Sequence, residues 1–598
     1  MPGYWQIATE TTRRRFLESS ALGLLATAAG SLRPIAANAQ SAANMIWAFS
    51  PAENAQAVSR TPSSVNFVDV TSKLGIHFKQ EASPTSRKYL LETMGSGVAL
   101  FDYDNDGRLD IFLGNGAEID DPMPPGSIPK KTAPKYWNRL FHQKEDGTFE
   151  DVTEKAGLTG AGYTTGVAVG DYDNDGYEDL FVAGYGRNTL YHNNGDGTFT
   201  DVTEKAGVQN NHWGIGAAFV DYDRDGKLDL FVGNYLKFDP KVKKVFYSAE
   251  AFAGPLDYEG DSNRLFHNNG DGTFTDVSER AGIANPPGRA MGVTVGDFDG
   301  DGWPDIYVAN DQMESYLYHN NHDGTFTNVA IEQNVAYGTN GDTPSAMGPI
   351  FADYDNHGAL DLFVSDMRYH RLFRNSPKEG FFIDTTADAG IARVAGQYVG
   401  WGDAFLDFDN DGWKDLFIVN GGLHWLIPME DSLLHNNGNG TFTDISDESG
   451  SYFRTKKVGR GACFADYDND GYIDAFIVVL GGKGILLHAK PPVGSARNHW
   501  LTLKLTGTKS NRDGFGARIE AVAGDLRQMV ENVPQSGYLS QHDPRPHFGL
   551  GSHTQVDRLT IHWPSGTVQT LENVKADQIL QVTEPGERQA ATPGGSSR

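Results

Sequence analysis

Cysteine is almost absent from this chain of 598 residues. The single one, Cys463, excludes an intramolecular disulfide and any metal site built on several thiolates. Positive charge is scarce as well: 50 Lys+Arg against 78 Asp+Glu leave a formal charge of −28. A nucleic-acid binder needs a basic face and an anionic membrane surface attracts basic segments, so the composition argues against both partners. Beyond the N-terminal segment no uncharged apolar run approaches the ~18 residues of a membrane helix, so no transmembrane segment is expected in the mature chain. Catalytic signatures are missing too: there is no His-x-x-x-His zinc pair, phosphate loop, G-x-S-x-G elbow or cysteine nucleophile. Glycine, by contrast, is abundant, with 70 residues or about 12% against a usual value of roughly 7%. That excess predicts many tight turns.

The N-terminus reads as an address. Thr12-Arg13-Arg14-Arg15-Phe16-Leu17 precede an uncharged stretch from Ser19 to Leu32, and Ala37-Asn38-Ala39 supplies a small-residue cleavage signal. The paired arginines resemble a twin-arginine export signal. Residues 1–39 are therefore expected to be removed and 40–64 to serve as a linker, with the mature protein periplasmic, extracellular or on the cell surface.

An acidic string, D-x-D-x-D-G-x-x-D, recurs seven times. Its aspartates are Asp102, Asp104, Asp106 and Asp110; Asp171, Asp173, Asp175 and Asp179; Asp221, Asp223, Asp225 and Asp229; Asp297, Asp299, Asp301 and Asp305; Asp353, Asp355 and Asp361; Asp407, Asp409, Asp411 and Asp415; Asp466, Asp468, Asp470 and Asp474. Six intervals cover 364 residues, about 61 each, which is the mark of a repeat architecture. Within a repeat, short apolar runs alternate with Asn-Gly and Asp-Gly turns, predicting four antiparallel strands, or one propeller blade. The closing element first appears at Phe67-Val68-Asp69-Val70-Thr71, before any acidic loop, and is missing after the last. That offset predicts a seven-bladed ring in which residues 67–71 complete the blade begun near Gly461, leaving no exposed sheet edge.

Carboxylates at loop positions 1, 3, 5 and 9 converge only if the chain curls around a point, and the glycine at position 6 permits the curl. Packed without a cation they would repel and raise one another's pKa. Ca²⁺, which takes 6–8 oxygen ligands in flexible geometry, resolves this better than Mg²⁺. Position 12 is an apolar strand residue, such as Val182, so the loops are not EF-hands. Up to seven Ca²⁺ are expected. The site Asp353–Asp361 should be the weakest, because His357 stands at position 5 and neutral imidazole suits a hard cation poorly. These loops hold 27 of the 78 acidic residues, so much of the net charge is concentrated in them.

The loops together with hairpins such as Asn193-Asn194-Gly195-Asp196-Gly197-Thr198-Phe199 resemble the FG-GAP/VCBS repeats of integrin-α-type propellers. That resemblance spans roughly residues 65–490 and implies calcium in these loops, stapling strands within a blade. After Pro491-Pro492 the repeats stop, and residues 495–585 alternate apolar and polar, predicting a small antiparallel β domain. Asn511-Arg512-Asp513-Gly514-Phe515-Gly516, Gly537-Tyr538-Leu539-Ser540-Gln541, His547-Phe548-Gly549-Leu550-Gly551 and Trp563-Pro564-Ser565-Gly566 resemble the ASPIC/UnbV module. The combination is similar to the cartilage acidic protein (CRTAC) family, which implies a secreted calcium-binding protein without a settled activity. Residues 586–598 read as a disordered tail.

The fold class expected is therefore all-β, a seven-bladed β-propeller followed by a small antiparallel domain. His142, His192, His267, His319 and His435 repeat at one blade position, which argues for a structural hydrogen bond. Five histidines between His499 and His562 match no ligand spacing, and Cys463 reads as a small buried residue. Insertions at 115–137, 236–262 and 331–346 break the period and are the best candidates for partner contact. The leading functional expectation is recognition of a protein or glycan without catalysis. A secreted hydrolase or redox enzyme, with its site at the propeller axis or the interface with the C-terminal domain, is the alternative; a scaffold whose C-terminal domain docks on its own propeller is a third.

Overall fold

The computed structural model describes residues 65–586 except 243, 245–249, 339, 492–496 and 534–535. The expected export signal (1–39), the whole of the expected linker (40–64) and the tail from 587 lie outside the described residues.

Seven four-stranded antiparallel sheets follow one another. The second blade is representative: Tyr163–Gly170, Asp179–Tyr185, Thr189–Asn193 and Phe199–Asp201. Its first strand is wholly buried, whereas its last alternates from a buried Phe199 to two exposed residues, so the sheets run from a dry axis to a wet perimeter. Crowding at the axis selects small residues: a Cβ on Gly166 would lie 1.9 Å from the carbonyl oxygen of Ile215 in the next blade. In blades two to seven the first strand also carries a register shift against the second, as between Thr164 and Val167, which bends it near the axis.

The ring closes as the offset predicts. Asn66–Asp69 pairs antiparallel with Ile485–Lys490, Phe67 opposite Ala489, and so completes the sheet of Gly459–Ala465 and Asp474–Val479. First strands pack on one another around the ring, and Gly459–Ala465 packs on Val98–Phe101 of the first blade.

Beyond the ring, Leu526–Glu531, Arg518–Ala523, Gln555–His562 and Val568–Lys575 form an antiparallel sheet in that order. His547–Gly551, His499–Thr506 and Gln578–Thr583 form a second one. Here the structure departs from an all-antiparallel domain, because His499–Thr506 and Gln578–Thr583 run parallel, Leu503 opposite Leu580. Parallel neighbours need a long crossover, and the whole four-stranded sheet lies within that connection. Leu501, Leu503, Ile519, Phe548, Leu550, Ile561 and Trp563 fill the space between the sheets.

Residues 536–543 leave this domain and enter the propeller axis. Leu539 O accepts from Val167 N at 3.0 Å, Gln541 N donates to Val98 O at 3.1 Å, and Gly537 N donates to Pro349 O at 2.9 Å. The Gln541 side chain accepts from Val169 N at 2.7 Å and donates to Val169 O at 2.9 Å. Tyr538 donates to Met94 O at 3.0 Å and meets Trp401 edge to face at 4.9 Å. Cys463 is buried, as expected, and its thiol donates to Gln541 O at 2.8 Å.

Candidate metal centres

Each acidic loop is built by its own backbone. In the second, Asp171 accepts from Asp175 N at 2.9 Å and Gly176 N at 2.7 Å, which curls the loop back on its first residue. Asp175 accepts from Tyr177 N at 2.9 Å. Asp179 accepts from Tyr172 N at 3.3 Å and, across the sheet, from Asn193 N at 2.8 Å. Asn174 and Gly176 take φ of +59° and +96°, the left-handed region that asparagine and glycine tolerate. The same carboxylate-to-amide pattern at position 1 recurs in the other loops, at Asp221, Asp297, Asp353, Asp407 and Asp466, with Asp102 accepting from Gly107 N.

Position 9 is buried in all seven loops and position 1 in five, with Asp102 and Asp297 half-buried. Positions 3 and 5 lie nearer solvent, and in blades one to four they meet the hairpin histidine: oxygens of Asp173 and Asp175 and a ring nitrogen of His192 lie within 4.8 Å of one another, as do the counterparts around His142, His267 and His319. The histidine Nδ1 bridges positions 3 and 9, at 3.4 Å from Asp173 and 3.3 Å from Asp179. His142, His267, His319 and His435 repeat this proximity and His488 adds a sixth example; the hydrogen bond that repetition predicts is formed by His142 to Asp110 at 3.1 Å and by His488 to Asp474 at 3.0 Å.

The donor set suits a hard cation. Asp102 Oδ1, Asp104 Oδ1 and Asp223 Oδ1 are buried without a hydrogen-bond partner among the described residues. Desolvation, then neighbouring carboxylates, push Asp171 up to about 8 and Asp221 and Asp297 up to about 7. Carboxyls gathered out of water at this density call for a compensating positive charge.

The fifth loop carries positive charge of its own. His357 Nδ1 stands 3.2 Å from Asp353, 2.6 Å from Asp355 and 3.8 Å from Asp361, and Nε2 lies 3.1 Å from Asn375 O. Burial opposes protonation of this ring, but its hydrogen bonds to Asp353 and Asp355 win and push it up to about 10. Where other blades have the hairpin histidine, Arg374 donates to Asp355 at 2.5 Å.

Two ties between blades carry little sequence signal. Position-4 asparagines link loop to loop: Asn105 to Gly176 O, Asn174 to Gly226 O, Asn356 to Gly412 O, Asn410 to Gly471 O and Asn469 to Gly107 O. Arg224 and Gly300 stand at that position in the third and fourth loops. The third-strand asparagine reaches the preceding blade, as Asn193 does to Tyr103 O at 2.8 Å, and Gln143 ties the first blade to the seventh through Tyr467 O at 3.2 Å.

The C-terminal domain sits on all seven loops. Lys504 pairs with Asp102 at 3.4 Å, Asp513 accepts from Asp171 N at 2.9 Å, and Arg224 donates to Pro564 O at 2.8 Å. Glu531 accepts from Asp297 N at 3.1 Å, Arg518 donates to Gly358 O at 3.2 Å, His547 bonds Asn410 at 2.7 Å, and Arg545 donates to Asn469 at 2.8 Å. Among the C-terminal histidines, His547 bridges Asn410 and Thr502, while His499 pairs with Asp577. The cavity left at this interface, between Lys414, Glu531 and His542, measures about 110 Å³, below the usual ligand range of roughly 300–1,000 Å³.

FG-GAP-like repeat models match residues 102–182, 171–232, 249–308, 297–364 and 407–477, spans that contain all seven acidic loops and about half of the chain. An ASPIC and UnbV model matches 507–589. The chain belongs to the FG-GAP-repeat family that carries an ASPIC/UnbV domain. This FG-GAP–ASPIC/UnbV protein is 26% identical to Cartilage acidic protein 1 of Mus musculus over 342 residues, covering 55% of this chain and 42% of the relative. The Homo sapiens protein gives 26% over 339 residues, with 55% and 41% covered, and the Xenopus tropicalis protein 23% over 352, with 56% and 43%. The chain thus spans less than half the length of these curated relatives. Among solved structures, an Agrocybe aegerita lectin that recognises non-reducing terminal N-acetylglucosamine aligns at 17% identity and a TM-score of 0.37, over 66% of this chain and 93% of the lectin. The pore of the Photorhabdus luminescens Tc holotoxin aligns at 13% and 0.30, over 70% of this chain and 18% of the toxin. Likeness at that level carries no argument about binding. Among the described residues no helix is long and apolar enough to cross a membrane.

Proposed function

We propose that this chain is an exported calcium-binding recognition module, with a propeller domain over 65–490, a C-terminal domain over 495–585, calcium in the acidic loops stapling the blades, and one propeller face that binds a protein or glycan. The observation that carries this reading is the contrast between the two faces. The acidic-loop face is covered by the C-terminal domain. The other face gathers the loops between second and third strands and those between blades, including the three insertions. Of ten large hydrophobic side chains exposed among the described residues, six lie there: Ile128, Leu256, Ile331, Tyr369, Trp425 and Ile427. That bias of exposed apolar side chains toward the uncovered face supports a contact surface there, with Trp425 and Ile427, two residues apart in one loop, as its best-defined pair. The enzymatic alternative gains no support at the axis, which Tyr538 to Gln541 occupy.

Capture of periplasmic or extracellular partners by the purified protein tests the recognition reading. Trp425→Ala with Ile427→Ala should abolish capture while leaving the melting midpoint unchanged; capture that persists in this variant would count against the face.

The calcium proposal makes a separate prediction about number. His357 and Arg374 already bring positive charge to the fifth loop, so the native protein should bind six Ca²⁺ by elemental analysis after gel filtration. His357→Asp combined with Arg374→His restores the arrangement of the other blades and should raise the count to seven. A native count of seven would show that His357 and Arg374 do not displace the ion. In the second loop, Asp173→Ala with Asp175→Ala should remove one ion; an unchanged count would rule these residues out as ligands.

A further inference from the structure

The uncovered face holds a cavity of about 590 Å³, within the range of small-molecule sites. Its lining is out of character for a chain with a formal charge of −28: Arg87, Lys88, Lys241 and Lys244 line it, and among the described residues no carboxylate does. Two of the four precede the turn Leu90–Thr93, two come from the insertion of the third blade, and residues 122–125 from the insertion of the first blade form another wall.

These charges are held without a direct ion pair. Lys88 Nζ donates to the carbonyl of Glu250, and Lys244 Nζ to that of Ala251 at 2.6 Å. Among the described residues none of the four side chains has a carboxylate oxygen within ion-pair distance, 4.0 Å. The acids nearest the cavity accept hydrogen bonds from neutral groups, Glu92 from Thr85 and Tyr89 N, Asp121 from Ser86 and Asp257 from Gly254 N, and act on the cations only from beyond ion-pair distance. Burial, then the charge of Lys88, depresses the Lys244 ammonium, against a smaller opposite pull from Glu92 and Asp257. The walls are braced as well. Met123 N donates to the Tyr89 hydroxyl at 2.9 Å, and Phe238 stacks on Tyr258 at 5.7 Å while meeting Tyr89 edge on at 6.0 Å. A preformed site of this kind loses little on ordering when it binds.

We propose that this cavity binds an anionic oligosaccharide, one bearing carboxylate or sulfate groups, through Arg87, Lys88, Lys241 and Lys244. The proposal rests on the reading of this face as the recognition face and names its ligand class. Several cations in one enclosed volume match a ligand with several anionic groups. An extended peptide would need a free sheet edge or a long apolar groove, and the edge strands of the blades lie at the perimeter, away from this mouth.

Isothermal titration of the full mature chain in calcium tests it, with a heparin-derived tetrasaccharide, an oligouronate, chitotetraose and polyglutamate as probes at 50 mM and 300 mM NaCl. One or both anionic saccharides should bind, weaken at the higher salt, and weaken at least tenfold in R87Q/K241Q, which changes two exposed rim residues and should melt like the native protein. K88Q/K244Q should do the same from inside the cavity. No binding of either anionic saccharide, equal affinity in both variants, or equal binding of chitotetraose or polyglutamate overturns the proposal. If the saccharides fail while Trp425→Ala with Ile427→Ala still abolishes partner capture, this cavity is refuted and the recognition face stands. If both fail, the recognition reading falls with it.

Discussion

Chelation of calcium is expected to lower the melting midpoint of this protein by roughly 15 °C. A site that binds only the folded state contributes about 2.7 kcal/mol when free ligand is one hundred times Kd. Six such sites acting on one cooperative unit come to about 16 kcal/mol. An unfolding entropy near 2.1 cal/mol/K per residue converts that into roughly 15 °C for a body of about 500 residues. The sites should act together because they are tied in series: Asn105 and Asn174 link the first three loops, and Asn356, Asn410 and Asn469 carry the chain from the fifth back to the first. Differential scanning calorimetry with calcium, with chelator and after readdition makes the measurement, and an unchanged midpoint on chelation would sink the calcium reading. The pH dependence gives a second readout with a definite sign. Desolvation raises the folded carboxyls, Asp171 to about 8 and Asp179, Asp221, Asp229, Asp297 and Asp466 to about 7, while the unfolded chain titrates near 3.9. The folded, chelated protein then binds more protons than the unfolded chain between about pH 4 and 8, so its stability falls as pH rises through that window. Calcium competes with protons for the same oxygens, so the stabilisation it adds should grow with pH.

The propeller was legible because its evidence repeats. Seven copies of one string set the blade count, and the misplaced Phe67-Val68-Asp69-Val70-Thr71 predicts the closure that the pairing of Phe67 with Ala489 displays. Repetition also argues for a structural role of the hairpin histidines, and each of them stands beside positions 3 and 9 of its loop. What the repeat cannot convey is anything made once or made between distant segments. Asn193 looks like a turn residue, yet its amide reaches back to Tyr103 in the preceding blade. At the fifth blade the exchange of the hairpin histidine for Arg374 is visible in sequence, but its meaning comes only from the 2.5 Å contact with Asp355. The parallel pairing of His499–Thr506 with Gln578–Thr583 was not foreseen, since alternation marks a strand and says nothing of its partner's direction. Least legible of all was Gly537-Tyr538-Leu539-Ser540-Gln541. It reads as a polar-apolar loop of a small domain, and no local pattern says that it belongs inside another.

That segment carries the second large effect. Tyr538→Ala with Leu539→Ala is expected to destabilise the whole protein by about 5 kcal/mol or more, since burying an aromatic ring is worth about 3–5 kcal/mol and a leucine about 2–5, with some coupling between neighbours. Both side chains are essentially fully buried in one cluster with Met94, Tyr163, Ile215, Met291, Met347 and Trp401, which come from five blades and from the chain leading into the first. Their loss therefore leaves a cavity that no single blade can close. A complementary substitution attacks the same contact from the propeller side. A Cβ at Gly97 would lie 1.8 Å from Leu539 O and 2.7 Å from its carbonyl carbon, a clash with backbone that only withdrawal of the segment relieves. Gly97→Ala should therefore lower the midpoint and open the chain between 532 and 546 to limited proteolysis, which the native protein should resist. Because Asp513 and Glu531 accept from the position-1 amides of two acidic loops, withdrawal of the segment should also loosen the cap over those loops. Calcium should then be held less tightly in both variants. Midpoints and calcium retention that match the native protein in both would show that the axial segment is ornamental; a fall in the two readouts together would make the C-terminal domain the axle on which the seven blades and their cations are assembled.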